Sequence, residues 1–195
     1  SIAAVGRASL AGCHASEARQ VTIAGYDVGT LSPARPQIAV EVINPAGSVI
    51  VRVDETIDGP RVQARTRGKL PAAERVSASL TGSTLTARVQ TPAPDADLVD
   101  VTVWVPNSGG VRVESSGGSV RLFDVRGAVS VDISSASGLG GDIQLRTRRV
   151  LDEGVRLSTT GGSVRAVMPA RSIGRVELSA SSGNAYLRSD FGELV

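Results

Sequence analysis

The chain carries one histidine, His14, and one cysteine, Cys13, among its 195 residues. Serine or cysteine nucleophiles activated by histidine need a positioned imidazole, so His14 would have to serve in either case. Zinc sites draw several ligands from His and Cys, and one of each is too few. A single cysteine also excludes an intramolecular disulfide framework. Lysine is nearly absent: Lys69 stands alone, and arginine supplies the rest of the 21 basic residues. Aromatic residues make up 3% of the chain. That leaves little for a stacking platform, so nucleic acid is not an expected partner. No run reaches the roughly 18 apolar residues of a membrane-spanning helix. No metal or other cofactor is expected.

What is present is aliphatic. Hydrophobic residues are 41% of the chain, so the core must be built from Val, Leu, Ile and Ala. The 21 basic and 19 acidic residues leave a net charge of +2. Most arginines alternate with apolar residues, which reads as a solvated strand face. Arg146, Arg148 and Arg149 form the one dense cluster and are the candidate anion patch.

Four segments share one pattern. They read VRVESSGGSVRL from Val111, VDISSASGLGGDIQL from Val131, VRLSTTGGSVRA from Val155 and VELSASSGNAYL from Val176. Each has an alternating start, a Ser/Thr/Gly turn and a second alternating stretch. Alternation of period two indicates strands with one face turned inward. Val111 to Val120, Val155 to Val164 and Val176 to Ala185 are each nine residues apart, and the unit recurs every 20 to 21 residues. Val113, Ile133, Leu157 and Leu178 are expected at equivalent inward positions. A fixed period of this length predicts a right-handed parallel β-solenoid.

Weaker copies occur earlier, in VEVINPAGSVIVRV from Val40 and VSASLTGSTLTARV from Val76. The expected organisation is a segment 1–13, an N-terminal segment 14–37, an irregular β region 38–105 and a regular solenoid 106–195. QTPAPDAD, from Gln90 to Asp97, reads as a linker. Leu10 to Cys13 read LAGC, either the lipobox that ends a lipoprotein signal, with Cys13 lipidated, or an ordinary buried thiol. The chain opens at Ser1, and a segment upstream is expected. A signal there would put the protein outside the cytoplasm, with the membrane reached only through a lipid on Cys13.

The pattern VxVxNxxGSVxV, followed by VRVESSGGSVRLFDVRGAVSVDISSASG, resembles the adhesin family of bacterial cell-envelope proteins. The resemblance covers roughly residues 38–190, including the D-V-x-G link from Asp124 to Gly127. It implies an extracytoplasmic β-solenoid at the cell surface or in the periplasm, and it brings no catalytic residues with it.

Two functions follow as expectations. The first is a structural or adhesive envelope protein binding a glycan, an envelope protein or its own copies. The second is a polysaccharide-acting β-helix enzyme, with Asp132 and Asp142 as paired carboxylates beside Arg146. The opposing reading of these three is a surface ladder of opposite charges. GLGGD, from Gly138 to Asp142, lacks the recurrence of calcium-binding turns. Trp104 is expected to face outward or to cover the junction between the two parts. Tyr186, Leu187, Phe191 and Leu194 mark the last coil, whose open edge is expected to stack end to end on another copy.

Overall fold

In the computed structural model of the chain, residues 18–26, 36–67, 75–90, 98–135, 140–172 and 174–190 are described. They form sixteen strands and no α-helix. In order these are β1 (Arg19–Val21), β2 (Ile23–Ala24), β3 (Ile38–Asn44), β4 (Val49–Val53), β5 (Arg61–Arg67) and β6 (Val76–Thr81). Next come β7 (Thr84–Val89), β8 (Leu98–Val105), β9 (Ser108–Ser115), β10 (Gly118–Phe123) and β11 (Val129–Ile133). The last are β12 (Gly140–Arg146), β13 (Val155–Thr159), β14 (Val164–Pro169), β15 (Val176–Ala180) and β16 (Ala185–Asp190).

The strands build two sheets of eight. The first runs β1-β5-β8-β4-β10-β12-β14-β16, and the second β15-β13-β11-β9-β3-β7-β6-β2. Both are mixed, because β1–β5, β5–β8 and β6–β7 pair antiparallel while the other neighbours pair parallel. This corrects the expected regular right-handed parallel β-solenoid. Strands from before and after residue 105 are neighbours in both sheets: β3 lies beside β9, and β4 beside β10.

The departure has a local cause. VSASLTGSTLTARV closes on itself as a hairpin, with Leu80 opposite Leu85 and Thr81 opposite Thr84 across Gly82–Ser83. Gly82 has φ +58°, which suits a tight reversal between antiparallel strands. VEVINPAGSVIVRV instead sends its two strands to different sheets. At its corner the Asn44 side chain donates to the Val99 carbonyl at 2.9 Å and accepts from the Ala46 amide at 3.3 Å. Ser115 and Thr159 stand at matching corners, and their hydroxyls donate to the Gly117 and Gly161 carbonyls at 2.6 and 2.7 Å. A buried polar side chain there satisfies turn backbone that would otherwise lack partners. At Gly82–Ser83 the chain instead turns straight back.

Inward residues align across strands. Val62, Val103, Val51, Leu122, Leu145 and Ala166 form one row of the first sheet, and each is fully buried. In the second sheet the corresponding row is Val42, Val113, Val131, Leu157 and Leu178. Ile133 therefore does not share a row with Val113; it pairs with Ser115 and Thr159. Both sheets face one aliphatic cluster that reaches from Val21 to Met168. Each fully buried Val or Leu there contributes about 1.5–3 kcal/mol of transfer free energy.

Candidate functional site

The two sheets end together. β16 is the last strand of the first sheet and β15 the last of the second. Leu187 continues the inward row after Ala166, yet Ala166 is fully buried while Leu187 is 56% exposed. Tyr186, in register with Arg165 on the outer side, is also 56% exposed. Leu178 is only partly buried, although its neighbour Leu157 is wholly so. The core rows thus run out into solvent at this rung. Of the four residues expected here, the structure brings Tyr186 and Leu187 to the rung; Phe191 and Leu194 lie outside the described residues. Cys13 and His14 lie outside them as well.

At the opposite end the described edge strands are short, three residues in β1 and two in β2. Short edges offer few backbone groups for pairing. β15 and β16 have five and six residues.

The carboxylates weighed for acid–base work are not brought together. Asp132 lies on β11 of the second sheet and Asp142 on β12 of the first. Asp142 accepts the Ser163 amide at 2.7 Å, and Asp132 stands between Glu114 and Ser158 on its own sheet.

The arginine cluster is also divided. Arg148 turns to Asp124, with guanidinium contacts of 2.7 and 3.2 Å. Its amide donates to the same carboxylate at 3.0 Å. These bonds, the side-chain bond from Arg148 foremost, hold the Asp124 carboxyl below its usual range despite partial burial. Arg149 pairs with Glu55. Arg146 is left on the outer face of β12. The D-V-x-G link is therefore a corner: Asp124 binds the next segment at φ +54°, Val125 is fully buried and Gly127 turns at φ +73°.

Trp104 faces outward on β8, in register with Arg52 and Arg61. The Arg52 guanidinium carbon lies 4.6 Å from the centre of the Phe123 ring. Neither arginine was singled out from the sequence. Their partners lie on strands distant along the chain, and outward alternation was the only signal available. Among the described residues no group of three or more His, Cys, Asp or Glu is placed to hold a metal ion. No described helix is long and apolar enough to cross a membrane.

No family model and no curated sequence matches the chain. Solved structures are similar in shape. One is a candidate cell adhesion protein from Clostridium sporogenes, 5% identical, aligned over 90% of this chain and 100% of that one with a TM-score of 0.54. A candidate lipid binding protein from Parabacteroides distasonis is 12% identical over 90% of this chain and 80% of that one, with a TM-score of 0.40. A candidate adhesin from Bacteroides fragilis is 12% identical over 88% and 96%, with a TM-score of 0.31. The first of these shows a shared fold.

Proposed function

We propose that the chain is an extracytoplasmic structural or adhesive protein that displays its broad sheet faces at the cell envelope, at the cell surface or in the periplasm. The carrying observation is the form of those faces. Both sheets are eight strands wide, their outward positions are polar or charged over most of that width, and most apolar residues lie between them. Likeness of fold to a protein named for cell adhesion supports the same reading. Beads coated with the purified chain should adhere to envelope preparations or glycan-coated surfaces, and intact cells should lose the protein to added protease. Beads that adhere no better than albumin-coated ones would count against adhesion. Protease protection in intact cells, with digestion once the outer barrier is opened, would restrict it to the periplasm.

The terminal rung fits a second copy of this chain. The rows that end at Leu178 and Leu187 offer apolar side chains on open strand edges, and a second copy brings the same. The blunted β1 and β2 end does not match this surface, so the favoured product is a tail-to-tail dimer rather than a head-to-tail filament.

A further inference from the structure

Charge is divided unequally between the two outer faces. On the second sheet, Glu41, Glu114, Asp132 and Glu177 are mixed with Arg88, Arg112 and Arg156. Arg112 pairs with Glu114 at 2.5 Å, and Arg156 approaches Glu177 at 3.9 Å. That face largely neutralises itself.

On the first sheet one row reads Arg61, Trp104, Arg52, Phe123 and Arg146 on five neighbouring strands. After Val167 the row ends at Arg188. Arginine thus stands on every second strand across seven. With strands about 4.8 Å apart, the guanidinium groups recur at about 10 Å over about 30 Å. The adjacent row adds Arg121 and Arg165.

Arg52, Arg121, Arg146 and Arg165 form no ion pair among the described residues. The nearby acids stay charged but each holds a hydrogen-bond partner of its own, and Asp54 also feels the Arg61 charge. Asp100 accepts the Ser48 amide and Asp142 the Ser163 amide. At the corner beside Trp104, Asp54 accepts from Thr56, Glu55 from Arg149 and Asp124 from Arg148.

The same face is hollowed. One depression of about 650 Å³ is lined by Gln63, Thr102, Ile50 and Arg121 among others. A second, of about 530 Å³, is lined by Gln144, Arg165 and Tyr186 among others. These depressions follow the adjacent row, at Arg121 and Arg165, beside the row of Arg61, Arg52 and Arg146, and Asp100 and Asp142 line them as well. A hollowed face accommodates a chain better than a flat bilayer.

The aromatic rings do not favour single-stranded nucleic acid. Arg52 covers the Phe123 ring, so that face is not open to a base. The contact instead holds the guanidinium in place on the sheet. Arginine's planar fork suits carboxylate; every sugar of polygalacturonate carries one, and in an extended two-fold chain alternate carboxylates fall on one side at disaccharide spacing.

We propose that this face binds an extended acidic polysaccharide laid across the strands, with Arg61, Arg52 and Arg146 each meeting one carboxylate. The proposal rests on the adhesive reading above and names its ligand class.

The test is calorimetric titration of the purified full chain with a polygalacturonate oligomer long enough to span the row. Fully methyl-esterified oligomer, oligo-deoxythymidine and phosphatidylglycerol vesicles are the comparison probes. Polygalacturonate should bind and weaken with added salt, while the esterified form should not bind. Arg52→Glu with Arg146→Glu should lower affinity about a hundredfold, roughly tenfold per arginine. Arg112→Glu with Arg156→Glu, on the other sheet, should leave it within a few fold. Unchanged melting temperatures for both variants keep the comparison free of misfolding. No binding of polygalacturonate, equal losses in the two double variants, or tighter binding of oligo-deoxythymidine or vesicles would overturn the proposal. Calorimetric binding without bead adhesion would sink the adhesive reading alone. Bead adhesion without polygalacturonate binding would sink only this assignment.

Discussion

At the residue scale, position in the pleat and at the corner decides what each arginine does. Arg146, Arg148 and Arg149 are near neighbours in sequence, but Arg146 ends an outward strand position while the other two lie on the turn beyond it. A cluster in sequence is thereby distributed to a sheet face, to Asp124 and to Glu55. Asp124 combines charge and conformation, with φ +54° and the Arg148 ion pair. Asparagine tolerates left-handed backbone, so Asp124→Asn removes mainly the charge. Because Arg148 is 85% exposed, solvent screening keeps the pair weak. The Asp124 carboxyl is held low in the folded state. Its contribution is therefore present above the unfolded carboxylate range, near pH 4, and is lost as pH falls through the lower folded value. Thermal melts should show wild type above Asp124→Asn at pH 7, with the gap closing towards pH 3. A gap independent of pH would remove the ion pair from the account. Asp124→Ala should cost about 1–2 kcal/mol more than Asp124→Asn, from left-handed strain.

At the element scale, alternation located nearly every strand of the second half and the aliphatic character of the core. It did not locate the register of β11, which pairs Val129 rather than Val131 with Val111. A slip of two residues leaves every side chain on the same face, so the hydrophobic pattern cannot distinguish the two alignments. Strand direction was equally hidden, because hairpins and corners both join alternating stretches. The Ser/Thr/Gly turns stack closely. A side chain on Gly118, Gly141, Gly162 or Gly183 would strike the backbone of the preceding glycine in the series that begins at Gly47. Gly162 also has φ +98°, which side chains rarely adopt. Gly141→Ala should therefore destabilise by about 3 kcal/mol or more through overpacking against Gly118. Gly117→Ala, with open space around it, should cost far less. Denaturant melts of the two variants make the comparison, and equal costs would refute the close approach.

At the scale of the whole molecule, three surfaces differ in character: an arginine row on the first sheet, a self-neutralising second sheet, and an open terminal rung. The rung was foreseeable at Tyr186 and Leu187 because they belong to the last alternating unit. The arginine row was not, because it joins strands distant along the chain, paired parallel from β8 to β16 and antiparallel only at β5. The central claim is that the core rows end open at β15 and β16 and that a second copy closes them. Sedimentation velocity of the purified chain over a range of concentrations tests it most directly, alongside a Tyr186→Lys, Leu187→Lys variant. Both substituted residues are exposed, so the variant should keep the wild-type melting temperature when both are monomeric. The account predicts a monomer–dimer equilibrium for wild type and a monomer for the variant at every concentration. A wild type that stays monomeric throughout, or a variant that dimerises as strongly as wild type, would contradict it.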